Sequence, residues 1–181
     1  MTIIKFILVG LAAVMFLALV KKVFSMSSPV GKNEPFVIMS PFEATITKGG
    51  KPVANTQVKL NYSWNSGSAE EQEGFDILFT TDANGFVSVP AIEKQIFVSQ
   101  IQTTTSNYVI SVLHNDGAVE IHDVAKSDSA MYGELGVKVE EYKCELTDPF
   151  VGIRDTRREK YSLIATRCTW DGFENLKKIE L

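Results

Sequence analysis

The chain has 181 residues, the length of one ordinary domain, and at 45% hydrophobic and 22% charged residues it has the composition of a folded protein. Residues 1–25 hold Lys5, Lys21 and Lys22 and no acid; 18 bases less these three leave 15 against 22 acids in the rest, a net −7. An acidic body excludes general nucleic-acid binding, which needs a basic face. Two histidines and two cysteines exclude a four-cysteine zinc module, and their spacings do not fit a mixed one.

The first element is apolar. Phe6–Val20 is an unbroken run of fifteen apolar residues, and Lys5 and Val23–Phe24 extend it towards 18–22. That length suits a single membrane-spanning helix whose lysine snorkels to the interface. Cleavage as a signal peptide after Ser25 is the alternative, disfavoured by Lys21 and Lys22 directly behind the core. The positive-inside rule is nearly tied across the span. The acidic, β-patterned body with a potential disulfide favours export, so the expected location is the inner membrane with the domain in the periplasm. Residues 26–35, rich in serine, glycine and proline, read as a tether, which leaves 36–181 as the domain.

Strand patterns follow in chain order. Phe42, Ala44 and Ile46 alternate with polar residues up to the turn Gly49-Gly50. Val58, Leu60, Tyr62 and Trp64 give the sharpest two-residue period. A polar loop, 65–74, carries Glu70, Glu71 and Glu73. Strands are then expected over 77–81 and 86–89, around the turn Asp82-Ala83-Asn84-Gly85. Further strands are expected at 108–114, 118–124, 137–146, 150–154 and 161–170; short helices fit 126–135 and 173–181. Eight or nine short strands at turn spacing predict an all-β antiparallel sandwich.

Within this pattern, Gly50-Lys51-Pro52-Val53-Ala54-Asn55-Thr56-Gln57-Val58, Thr81-Asp82-Ala83-Asn84-Gly85-Phe86-Val87 and Val89-Pro90-Ala91-Ile92 stand at a characteristic spacing. The segment 42–92 resembles the transthyretin-like, carboxypeptidase-regulatory-like modules of exported bacterial proteins. The resemblance implies an immunoglobulin-like sandwich that serves as an appendage or binding module. It carries over no catalytic residue.

Several polar residues are candidates for chemistry. An Asp116–Gly117 loop would pair His114 with Val119 and turn His122 to the opposite sheet face, beside Ser111, so the histidines would not converge on a metal. Cys144 and Cys168 are symmetric about Thr156, and a hairpin closing there would set them opposite each other as a disulfide, with buried free thiols as the alternative. Asp82–Gly85 holds part of a calcium-loop pattern but lacks its closing glutamate, and turn chemistry accounts for it. No constellation supports an enzyme, a metal or a cofactor.

Two charged groups remain: Glu70, Glu71 and Glu73, and a late basic cluster, Arg154, Arg157 and Arg158. Both are solvated surface unless they steer a protein partner. The expectation is a non-enzymatic protein-binding module, with an immunity protein that neutralises a delivered toxin as the sub-class its architecture fits. The alternative is a carbohydrate- or envelope-polymer-binding module that uses Tyr62, Trp64 or Trp170 as a stacking platform.

Overall fold

The alternating segments become strands because one side of each faces a shared core. A computed structural model of the chain describes residues 31–65, 74–99, 103–114, 117–154 and 162–179. Gly31–Leu181 forms one compact unit. Its fold is all-β, and among the described residues no helix is long and apolar enough to cross a membrane.

The strands are β1 (Gly31–Met39), β2 (Phe42–Lys48), β3 (Lys51–Pro52), β4 (Gln57–Asn65), β5 (Phe75–Thr80), β6 (Phe86–Val89) and β7 (Ile92–Ser99). They continue as β8 (Thr105–His114), β9 (Gly117–Lys126), β10 (Tyr142–Glu145), β11 (Val151–Arg154), β12 (Ser162–Thr166), β13 (Cys168–Thr169) and β14 (Lys177–Ile179). The seven-stranded sheet runs β14-β11-β12-β9-β8-β4-β5 and is antiparallel throughout. The five-stranded sheet runs β13-β10-β2-β3, with β6 also on β2. There β10 lies parallel to β2, as a strand arriving from far along the chain can. β1 and β7 form a separate antiparallel ribbon.

Phe42, Ala44 and Ile46 from the five-stranded sheet join Val58, Leu60, Ile110, Val112 and Val124 from the seven-stranded one in a single hydrophobic core. Phe36, Ile38 and Ile96 of the ribbon belong to the same core. The tight turn that feeds β6 needs its glycine. Gly85 has φ 78°, and a Cβ there would meet the Ile46 carbonyl oxygen at 2.5 Å. Asp82 closes the same turn, its carboxylate accepting from the Asn84 and Phe86 amides at 2.8 Å each.

Several expectations change. Gly31–Pro35, expected to belong to a tether over 26–35, is the start of β1, paired with β7, and 26–30 lie outside the described residues. Local composition does not reveal a strand whose partner lies some sixty residues away. The helix expected over 126–135 is absent: Lys126 ends β9, and turns follow. At 173–181 a 3-10 turn, Phe173–Asn175, precedes β14. Of 137–146 only Tyr142–Glu145 is strand, and 161–170 breaks at Arg167, where the chain leaves β12 for β13. The pairing of β8 with β9 is two residues out of the expected register. His114 pairs with Gly117, and Val112 with Val119. A β-bulge then leaves Ile121 without a partner, so that Ile110 faces His122 while Ser111 faces Glu120. The extra residue inverts the alternation, and His122 turns into the core instead of outward.

Cys144 and Cys168 are bonded and directly opposed, as their spacing predicts. The strands that carry them are the short pair β10 and β13, not one continuous hairpin. The bond therefore holds β13 to β10 immediately after the chain has left the seven-stranded sheet. Replacing both cysteines with alanine is expected to destabilise the domain by about 3 kcal/mol, from the closure entropy of a loop this long. Urea unfolding of the oxidised protein against the double variant measures it.

Candidate functional site

Polar groups gather where the two sheets meet. The β9 bulge buries His122 to 1% exposure, and its ring centroid lies 5.3 Å from Phe42, 5.3 Å from Tyr142 and 6.0 Å from Tyr108. Its Nδ1 is 3.0 Å from the Thr166 hydroxyl, which donates to the Ile121 carbonyl at 3.0 Å. With the hydroxyl proton so used, Nδ1 is assigned the ring hydrogen, and Nε2 presents a buried lone pair with no hydrogen-bond partner. Burial pushes the imidazole down to about 4, against a smaller upward pull from Glu134, so the ring is neutral. Burial likewise pushes the hydroxyls of Tyr108 and Tyr142 up, reinforced by the Glu134 charge.

Glu134 anchors the irregular segment after β9. Its Oε1 accepts from Lys126 Nζ at 2.9 Å and from the Ser40 amide at 3.0 Å, and Oε2 accepts from the Ser40 hydroxyl at 2.7 Å. The Tyr132 amide donates to that hydroxyl oxygen at 2.7 Å. Lys126 and Glu134 are both buried, with side-chain exposures of 0% and 6%. Burial alone would raise the Glu134 carboxyl; the Lys126 charge and the bonds from Ser40 and Lys126 outweigh it and hold the group below its ordinary value. A carboxylate so stabilised is a weak base. The cavity beside it, lined in part by Ser40, Tyr108 and Tyr142, is about 10 Å³, room for one water and no substrate. This cluster pins three chain segments together.

A second carboxylate acts in the same way at the surface. Glu145 accepts from the Gly49 amide at 2.8 Å, the Gly50 amide at 3.0 Å and the Thr47 hydroxyl at 2.9 Å, and also from the amide and hydroxyl of Thr147. The Thr147 hydroxyl first, then these amides, pull it well below the usual carboxylate range. No sequence signal marks Glu145 or the Lys126–Glu134 pair, because their partners are chosen by strand pairing.

Of the charged residues singled out above, Arg154 is described: it is exposed at the end of β11, opposite Lys177. Glu70, Glu71, Glu73, Arg157 and Arg158 lie outside the described residues. The strands that flank them share one rim. Asn65 ends β4 opposite Thr105, Ser106 pairs with Lys126, and Lys126 pairs with Ser162 at the start of β12. Arg154, which continues β11 beyond Ile153 opposite Ile164, belongs to this same end of the sheet.

The aromatics are mostly internal. Trp170, 8% exposed, packs edge-on against Tyr142 at 5.1 Å and Phe173 at 4.8 Å. Tyr62 is buried, and Trp64 is half-buried and stacked on Phe75 at 5.6 Å. Phe75 itself is 40% exposed. Among the described residues no group of three or more His, Cys, Asp or Glu side chains is placed to hold a metal ion.

Residues 42–149 match a domain of unknown function, DUF6795. The chain belongs to this family. The matched span runs from β2 through β10, so it holds His122, the Lys126–Glu134 pair, Glu145 and Cys144, while Ser40 and Cys168 lie outside it. No curated protein and no solved structure matches the chain.

The buried imidazole makes stability depend on pH. Its folded value of about 4 lies below the ordinary 6.5, so the unfolded chain takes up the proton first as pH falls. The contribution is complete above 6.5 and lost on the way down to 4, about 3 kcal/mol in all. Urea unfolding between pH 7.5 and 4.5 is expected to show this slope, and His122→Leu to flatten it above pH 5.

Proposed function

We propose that this chain is a non-enzymatic protein-binding module, held at the inner membrane by its apolar N-terminal segment with the β domain in the periplasm. The observation that carries the reading is the Cys144–Cys168 bond: a disulfide persists in an oxidising compartment, and an uninterrupted apolar run at 6–20 provides the route there. The described domain begins with β1 at Gly31. Within this class the architecture fits an immunity protein, stationed where a delivered toxin acts. The two packed sheets are then a transthyretin-like, immunoglobulin-like sandwich, supported by the turn at Asp82–Gly85.

Binding in place of catalysis is supported by how the polar groups are used. The carboxylates of Glu134 and Glu145 are saturated with structural bonds, and His122 is sealed in the core. The polymer-binding alternative needs an exposed aromatic row, whereas Tyr62 and Trp170 point into the core. Loops at one rim of a rigid sheet are the usual place for protein recognition.

Location is tested by a reporter fused after residue 35. Export with retention in the membrane fraction is expected; soluble periplasmic reporter with a new terminus at Met26 would show cleavage.

Binding is tested by charge reversal. Lysine at Glu70, Glu71 and Glu73 is expected to leave folding unchanged within about 0.5 kcal/mol per site. It is expected to slow association of a basic partner, most at low salt. Reversing Arg157 and Arg158 is the paired control. An affinity unmoved by either reversal would place the interface elsewhere.

A further inference from the structure

A pit of about 180 Å³ opens where the chain turns from β13 towards β14. Leu135, Val137, Leu176 and Trp170 supply its apolar wall, and Asp171 and Asn175 its polar side chains. Pockets that enclose a whole small molecule are about 300–1,000 Å³, so this one has room for a single side chain. Val137 is 62% exposed here, more than any other large hydrophobic residue described.

The wall is built in advance. The Cys144–Cys168 bond holds the chain two residues before Trp170. Turn bonds follow in succession. The Phe173 amide donates to the Trp170 carbonyl at 3.0 Å, the Asn175 amide to the Gly172 carbonyl at 3.1 Å and the Leu176 amide to the Phe173 carbonyl at 3.2 Å. A surface fixed in this way loses little freedom when it is filled.

Charge and unused hydrogen-bonding groups select the occupant. Asp171 is the one formally charged residue in the lining. It is exposed, and among the described residues its carboxylate has no hydrogen bond and no ion pair. The hollow on its other side does not neutralise it. There Lys138 pairs with Glu140 at 2.7 Å and Lys143 is matched in formal charge by Glu141, which leaves Asp171 as the excess. Asn175 commits its Nδ2 to Glu174 at 3.1 Å, so Oδ1 remains an acceptor. Trp170 is 8% exposed, and among the described residues no acceptor meets its indole N–H.

An anion is repelled by Asp171. An apolar side chain would strip water from the carboxylate and give nothing back. A side chain with an aliphatic stem and several donors at its end suits both halves of the pit. Arginine, planar and weakly hydrated, does so best.

We propose that this pit receives an arginine side chain of a partner protein, with its guanidinium on Asp171 and Asn175 and its stem along Leu135, Val137 and Leu176. The carbonyl of the arginine's own backbone is the acceptor that the Trp170 indole lacks. The proposal rests on the protein-binding reading above and gives that reading one named anchor.

The probe is the tripeptide acetyl-Gly-Arg-Gly-amide, added to the full chain in detergent micelles. The chain has two tryptophans, so two indole N–H resonances report, and Trp64→Phe assigns them. The Trp170 signal is expected to shift and saturate in the millimolar range while the Trp64 signal stays in place. Citrulline in place of arginine keeps the shape and removes the charge, and is expected to raise the Kd by about tenfold. Asp171→Asn is expected to do the same with the unfolding transition unchanged. Glu93→Gln, an equal loss of charge on β7, is expected to leave the Kd as it was.

Equal binding of the citrulline peptide would overturn the proposal, as would an equal loss from Asp171→Asn and Glu93→Gln, since net charge alone would then account for it. A Trp170 shift that grows with protein concentration in the absence of peptide would overturn it as well, by making a second copy the occupant. No shift at Trp170, with a basic partner still slowed by the glutamate reversals, would remove this site and leave the protein-binding reading standing. Saturable binding that depends on Asp171, with a partner indifferent to the reversals at the glutamates and arginines, would keep this site and put the interface at the pit.

Discussion

One inserted residue organises the core. Because Ile121 has no partner on β8, β9 buries two successive side chains, Ile121 and His122, where a regular strand would bury one. The Ile121 carbonyl accepts from the Thr166 hydroxyl at 3.0 Å and the Arg167 amide at 2.9 Å. Those bonds fall where the chain leaves β12 for β13. The Thr166 hydroxyl oxygen also takes the Cys168 amide at 2.9 Å, which directs the cysteine towards Cys144. The bulge, the strand switch and the disulfide are therefore one connected arrangement, and removing the extra residue would turn His122 to solvent and leave the switch without its acceptor.

The buried charges lock what the apolar core leaves adjustable. Apolar contacts between sheets are non-directional and tolerate sliding, whereas Glu134 is satisfied in one geometry, with Lys126, Ser40 and the segment carrying Tyr132 all in place. Tyr132 adopts φ 58° there, an unfavourable conformation for a residue with a Cβ, held by the hydrogen bond its amide donates to the Ser40 hydroxyl oxygen. A buried ion pair adds little net stability, but breaking one partner leaves an uncompensated charge, so the pair acts as a register pin. Glu145 does the equivalent at the surface, clasping the Gly49–Gly50 turn from a strand some 95 residues away.

This use of polar groups bears on function. His122 and the bonded Cys144 and Cys168 are committed to holding the fold together. Among the described residues, the ends of β4, β8, β9, β11 and β12 meet at one end of the sheet, and β5 is its last strand.

The all-β class, most strand positions between Phe42 and His114, the Asp82–Gly85 turn and the Cys144–Cys168 pairing were legible in the residues themselves. Period-two alternation, turn chemistry and symmetric spacing are local or nearly local signals. The ribbon of β1 and β7 was not legible, nor was the parallel pairing of β10 with β2, the break at Arg167 or the burial of His122. Each depends on a partner strand distant in sequence. A two-residue period fixes that a strand has two faces, but a single bulge decides which face is inside, and the bulge arises only when β8 and β9 pair. The glutamates and arginines were visible as charges from the start; tertiary structure decided that the strands flanking them end at a common rim, because antiparallel register carries the end of β4 across β8 and β9 to β12 and β11.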